Sequence, residues 1–412
     1  MRHFSDLVRP VLLLTALLVP PSLGPAPATA AQIDNGYGSS ADSDWRQNGA
    51  DAGRSGHQAL AGRLDAAAAR HLHPAWTAPA TRPEERIGGA VVVDGTVYRS
   101  AEAGDGQIRR YDAVTGGDRG PLVDAPGRAF GQLAAAGDTL VVESITRPNL
   151  RRYLGAYRMN GQPAWETELP GEVSGGFTVG DGLILRSAGP TLSAYRVTDG
   201  GLAWSAPLGA EPGFHPPVVA GGLVLQATEP GRVQAYDAGS GAPAWTHDAP
   251  GAELVAAGDT VFAVGERGVC AYAVRDGAQR WCDAETLDSP VYASAGPGAV
   301  YVIDGHGGLA SFDAGSGGVR WRTSYGLRWE VDASYWSPVN GGGVVYAVVY
   351  HFGFQGGVST HRVELIAADA VTGELLRRVT LDVESLVGGE PLLLSGDRVY
   401  FASLAKLYAL AG

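Results

Sequence analysis

Residues Ala235 to Trp245 read AYDAGSGAPAW, and close relatives of this stretch return along the rest of the chain. Its chemistry is that of a hairpin. Ala235 and Tyr236 end a strand, Asp237 and Ser240 can bond nearby backbone N–H groups, Gly241 accepts the positive φ of a tight reversal, and Trp245 opens the return strand. The frame Ala-x-Asp-x-x-Thr/Ser-Gly-x-x-x-Trp repeats closely at Asp313, Ser316, Gly317 and Trp321, and at Asp369, Thr372 and Gly373 with Arg377 in place of Trp. Ala194, Gly200 and Trp204 keep its ends, as do Ala271, Gly277 and Trp281; Ala156, Gly161 and Trp165 fit one residue short, and Asp112, Thr115 and Gly116 lead to Gly120. Successive hairpin glycines, from Gly116 to Gly373, lie 45, 39, 41, 36, 40 and 56 residues apart. A period near forty with four short strand signals in each unit predicts a β-propeller.

Inner strands, read as apolar runs before Gly-rich turns, fall at Ala90–Val93, Leu133–Ala136, Phe177–Val179, Pro217–Ala220, Leu254–Ala257, Val291–Ala295, Pro338–Gly341 and Pro391–Leu394. The C-terminal unit has only three strands, whereas His73-Pro74-Ala75-Trp76 is a return strand with no hairpin before it. The fragments complete each other. The expected fold is all-β, an eight-bladed propeller of four-stranded blades whose ring is closed by an N-terminal strand, which leaves no free sheet edge. The tryptophans Trp76, Trp165, Trp204, Trp245, Trp281 and Trp321 then fill the wedges between blades.

Composition sets outer limits. The chain has 412 residues, 60 glycines and 45% hydrophobic residues, enough for a sizeable core. A formal net charge of -12 argues against nucleic acid and anionic membrane surfaces as partners. Lys406 is the only Lys among 31 basic residues, the usage expected of a GC-rich bacterial genome. Residues 1–30 have a basic start (Arg2, Arg9), a short apolar run from Val11 to Val19 and a small-residue cleavage site, Ala28-Thr29-Ala30, which together describe a secretory signal peptide. The run is too short to span a bilayer, so a secreted monomer without membrane insertion is expected. Secretion places Cys270 and Cys282, which flank the fifth hairpin, where a cross-strand disulfide can form. Residues 31–70 read as a polar N-terminal linker with a short Ala-rich helical run from Leu64, and residues 71–412 as the propeller. Asp42 and Asp44 begin like a calcium loop, but Arg46 stands where a third oxygen ligand belongs, so both read as solvated linker residues.

The repeated unit resembles the tryptophan-docking motif of the pyrroloquinoline quinone (PQQ)-like propeller superfamily, and Asp44-Trp45-Arg46-Gln47-Asn48-Gly49 resembles the leading segment many members carry. The superfamily includes quinone-dependent dehydrogenases and the barrel-assembly scaffold BamB. Its alcohol dehydrogenases imply an adjacent Cys-Cys pair beside the quinone and carboxylate and amide ligands for calcium. No Cys-Cys occurs here, nor a C-x-x-C-H haem attachment. The resemblance therefore implies the BamB-like branch, with neither PQQ nor calcium expected.

No H-E-x-x-H, G-x-S-x-G or P-loop is present, and no catalytic or metal-ligating residues are assigned. The longest repeat carries two insertions, Tyr325–Trp336 (YGLRWEVDASYW) and Tyr350–His361 (YHFGFQGGVSTH), which read as loops on one face of the ring. They put Trp329, Trp336, His351, Phe352 and Phe354 on a rim that Arg86, Arg128, Phe130 and His215 join from other blades. Aromatic loops on a rigid scaffold suit a protein or glycan partner; they also suit a plug over the central channel. Two function classes stay open: a non-catalytic binding scaffold, and an enzyme, quinone-dependent or polysaccharide-active.

Overall fold

A computed structural model describes residues 44–79, 86–103, 106–170, 175–212, 215–229, 231–251, 253–325, 334–355, 358–382, 392–403 and 406–412. Eight antiparallel sheets form the blades of a propeller, each built outward from an inner strand. The eighth blade takes its outer strand, His73–Pro79, from the N-terminal side, paired to Lys406–Ala411 with Trp76 opposite Ala409. Residues 1–30, read from sequence as a signal peptide, and Asp42 lie outside the described residues.

The repeated hairpin folds for the reason its residues suggest. Asp112 Oδ1 accepts hydrogen bonds from the Val114 and Thr115 N–H groups and the Thr115 hydroxyl, at 2.7–3.0 Å. Asp237, Asp313 and Asp369 cap their turns in the same way. The glycine that follows has a φ of 71° in Gly116, Gly241 and Gly373, a left-handed conformation that a side chain would strain. It is also a seat. A Cβ on Gly241 would stand 2.5 Å from the ring of Trp204 in the preceding blade. Six indoles lie this way over the next blade's turn, and each donates Nε1–H to a carbonyl there at 2.8–3.2 Å, as Trp204 does to Ala238. Only Trp204 and Trp281 are buried. At the seam between blades 7 and 8, Arg377 takes the Trp place and donates Nε–H to Leu72 O at 3.1 Å. The hydrophobic core is accordingly divided among the wedges, with separate clusters between blades 1 and 2, 2 and 3, and onward.

Residues 44–58, within the stretch read from sequence as a linker or entry segment, run around the central axis and bond the inner strand of every blade. An inner strand's free edge faces the channel with unpaired N–H groups, which need partners when water is excluded. Val92 N–H donates to Trp45 O, Ala135 to Arg46 O, Val219 to Ala52 O, Ala256 to Gly53 O, Ala295 to Ser55 O and Asn340 to Gly56 O, at 2.7–2.9 Å. In blade 3 the Gln47 side chain substitutes, its Oε1 accepting from Val179 N–H at 2.8 Å and its Nε2 donating to Val179 O at 2.9 Å. Gln58 Nε2 donates to Leu394 O of blade 8 at 3.5 Å and to Asp44 O at 2.8 Å, so the segment closes on itself. Each of the eight strand residues stands two places before its blade's first hairpin turn. Trp45 is buried, and Asp44 is half-buried with its carboxylate largely covered, accepting from Arg46 and from the Asp94 N–H.

Candidate functional site

The antiparallel order of each blade sends its first and third turns to one end of the ring, and its second turn and the connection to the next blade to the other. The axial segment bonds the channel near the first turns. The opposite, loop-bearing end is where the predicted rim belongs.

Three residues before each strand residue that meets the axial segment, the blades carry Gly89, Gln132, Gly176, Pro216, Glu253, Tyr292, Ser337 and Pro391. Seven of these are uncharged. Glu253 is the exception, and its carboxylate is 1% exposed. His215 Nδ1, from the residue leading into blade 4, lies 2.5 Å from Glu253 Oε2. Arg54 Nη1 of the axial segment lies 3.7 Å from the same oxygen and is itself buried. Ser337 of blade 7 donates Oγ–H to Glu253 Oε1 at 3.4 Å, and Tyr292 of blade 6 packs its ring edge-on against His215, centroids 6.0 Å apart. Groups from blades 4, 5, 6 and 7 and from the axial segment thus converge at the channel mouth.

Burial alone would push the Glu253 carboxyl above its ordinary range; the charges of His215 and Arg54 outweigh that and hold it below. An ionised carboxylate only accepts hydrogen bonds, which assigns a proton to His215 Nδ1. A quarter of the His215 side chain remains exposed. The pair can therefore present the imidazole to a polar group of a ligand. Burying a charged cluster costs several kcal/mol per ion before pairing, and the uncharged residues at matching positions show that a blade does not require it.

The rim predicted from sequence is only partly assembled. His215 stands at the mouth. Trp336 is half-buried beside it in sequence to Ser337 and packs against the core between blades 7, 8 and 1. Phe130 is not a rim residue: it is fully buried at the seam of blades 1 and 2, edge-on to Tyr157. Arg128 is held away from the axis, its guanidinium 5.1 Å over the Tyr153 ring and paired with Glu166 through Nη1–Oε2 and, at 2.9 Å, Nη2–Oε1. Trp329 lies outside the described residues. Arg86 begins the inner strand Arg86–Val93. The stretch holding His351, Phe352 and Phe354 is not a loop but part of two lengthened strands, Val344–Gln355 and Val358–Asp369, paired continuously to Gln355 opposite Val358. Aromatic and β-branched residues in both stretches are strand formers. The two insertions do meet, since Ser334 and Tyr335 pair with Tyr350 and Val349.

Sequence reasoning named His215 and missed Glu253 and Arg54. The signal for Glu253 is an ionisable residue at the start of an otherwise apolar strand, visible only when all eight blades are aligned; Arg54, in the axial segment, carries no such signal. Cys270 and Cys282 form a disulfide across the outer strands of blade 5, with Cα atoms 4.1 Å apart.

Fold and repeat together define an eight-bladed propeller of the PQQ-like superfamily. The family profile described as outer membrane protein assembly factor BamB matches residues 150–284 and 213–411, and the chain belongs to this family. No curated protein matches it. Among solved structures it resembles BamB from Moraxella catarrhalis, at 14% identity and a TM-score of 0.58, over 83% of this chain and 100% of that one. It also resembles the quinohemoprotein alcohol dehydrogenase ADHIIG from Pseudomonas putida HK5, at 12% identity and a TM-score of 0.66, over 90% and 80%. The computationally designed protein Ika8 is a third likeness, at 14% identity and a TM-score of 0.60, over 80% and 98%. At these identities the likeness establishes the fold alone.

Both cysteines are tied together on outer strands, and among the described residues no group of three or more His, Cys, Asp or Glu side chains is placed to hold a cation.

Proposed function

We propose that this chain is a secreted, non-catalytic scaffold propeller, monomeric in itself, that engages a protein or glycan partner on its loop-bearing face. The observation that carries the reading is the inequality of the two ends. One end is closed by the axial segment and by short repeated turns. The other carries the paired insertions of blade 7 and a buried charged cluster that the repeat does not need. Long loops over a rigid ring are a usual place for recognition. BamB is itself an assembly factor, which agrees with a protein partner.

A photocrosslinking residue replacing Trp336, compared with one replacing Val371 in an exposed turn at the opposite end, tests the reading in extracts of the native cell surface and medium. Adducts from position 336 and not 371 are expected; adducts from 371 alone would refute it.

A second reading has one observation in its favour. The His215–Glu253 pair has the geometry of a general base, a ring nitrogen oriented by a buried carboxylate. If the mouth is catalytic, a panel of polysaccharides and alcohols will show turnover that His215→Gln abolishes, and a pH–rate profile will report the pair.

A further inference from the structure

Blade 2 joins its second and third strands, Thr139–Thr146 and Arg152–Arg158, through residues 147–151. By the strand limits, no other blade uses more than the four residues 305–308 of blade 6 for this turn. The additional length is not demanded by the ring. What occupies it is unusual for a turn. Leu150 is 68% exposed and has a φ of 53°, so neither packing nor backbone preference favours leucine there. Among the described residues the other large hydrophobic residues more than half exposed are Leu60, Val114, Leu202 and Val371, of which Val114 and Val371 belong to hairpin turns at the opposite end of the ring.

Around Leu150 the charge is positive. Arg147 is exposed and has no ion pair among the described residues, Arg151 is 59% exposed and only loosely matched to Glu168 at 3.3 Å, and Arg152 follows directly. This lies on a protein whose net charge is -12. The turn is also pre-formed. Leu150 N–H donates to Thr146 O at 2.8 Å, Thr146 N–H to Arg151 O at 2.9 Å, and Arg147 N–H to Gly127 O of the preceding connection at 2.8 Å. A held apolar tip within a basic collar loses little freedom on docking.

We propose that the turn Arg147–Arg152 is a docking element for an acidic protein segment, with Leu150 entering an apolar site on the partner and Arg147, Arg151 and Arg152 meeting its carboxylates. The inference rests on the reading that the loop-bearing face binds a protein, and it names where and with what chemistry. Charge complementarity decides the occupant: a basic collar selects carboxylates, and it repels the same collar on a second copy of this chain.

The probe is a short fluorescein-labelled peptide alternating Glu and Leu, followed by anisotropy with the full chain, beside a Lys–Leu peptide of the same length. The acidic peptide is expected to bind, to weaken as salt screens the collar, and to lose about tenfold or more in affinity, the range of an interface anchor, with Leu150→Gly and with the double variant Arg147→Glu/Arg151→Glu. Leu150→Gly should melt at or above the parent temperature, because Gly accepts the φ and no packed side chain is lost. Equal binding of the Lys–Leu peptide, or undiminished binding of the acidic peptide by both variants, overturns the proposal, as does a wild-type chain that binds neither. Adducts from position 336 together with unaffected variants would remove this inference and leave the broader reading standing. Adducts only from position 371 would remove the broader reading and this inference with it.

Discussion

Gly56→Ala is the sharpest test of the axial segment. Gly56 has a φ of 65°, and a Cβ there would stand 2.8 Å from Ser294 Cβ and 3.0 Å from Pro338 O. The left-handed conformation costs an alanine about 1–2 kcal/mol, and forcing a methyl group into a packed site adds about 1–3 kcal/mol. The sum is about 2–5 kcal/mol while the segment stays seated. With roughly 2.1 cal/mol/K of unfolding entropy per residue, a ring of this size melts about 3–6 °C lower. If the segment lifts instead, the loss is capped by its own docking energy, and a second readout appears: the amides of Ala295 and Asn340, which donate to Ser55 and Gly56, open to hydrogen exchange. Gly62 is the control, since a Cβ there meets nothing within 4 Å; Gly62→Ala should change little. Calorimetry and exchange mass spectrometry on the two variants decide the matter. Parent-like melting of Gly56→Ala with Ala295 and Asn340 still protected would refute the reasoning.

Three further outcomes are expected. Trp204→Ala should cost about 3–5 kcal/mol and Trp321→Ala less, because the first indole is buried and the second half-buried; denaturant titration ranks them, and the reverse order would count against the wedge account. Deleting the chain through Pro79 should leave the edge of Lys406–Ala411 open and produce early unfolding or aggregation, whereas deleting through Asp42 should not; equal melting temperatures would rule out the closure. The two axial carboxylates should respond to pH with opposite sign. Asp51 is exposed as a residue, but desolvation of its carboxyl by the surrounding ring raises it above its ordinary 3.8 despite its bonds from Ser55, so its contribution is fully present below pH 3.8 and is lost as pH rises through the folded value. Glu253 is lowered below 4.5, so its contribution is present above pH 4.5 and is lost as pH falls through the folded value. Melting temperature against pH should therefore flatten on the acid side in Glu253→Gln and toward neutral pH in Asp51→Asn, and unchanged profiles would contradict the assigned shifts.

The ring was readable because its repeats are written in side chains. Asp237, Gly241 and Trp245 each have a local reason to be where they are, and the lone return strand at Trp76 pointed to closure. The axial segment left no comparable mark. Trp45, Arg46, Ala52, Gly53, Ser55 and Gly56 meet the blades through carbonyl oxygens, which every residue carries. Phe130 was misassigned to the rim for a related reason: its strand begins at Arg128, five residues before the apolar run Leu133–Ala136, and Phe130 is turned into the seam. The stretch from Tyr350 to His361 looked like a loop only because it exceeded the repeat length. Sequence spacing cannot bring Arg54, His215, Glu253 and Ser337 together, since the separation that matters runs around the ring and not along the chain.

The pairing of His73–Pro79 with Lys406–Ala411 sets an order of assembly. The first strand to be made is the last to find its partner. At about 5–20 residues per second, the roughly 330 residues between them take a ribosome on the order of 15–65 s. Through that interval the outer strand of blade 8 has no neighbour, and the axial segment has an incomplete set of inner strands to bind. The chain is thus a fastener whose two halves sit at opposite ends of the message, and a release mechanism that delivered it unfolded and whole would spare it that wait.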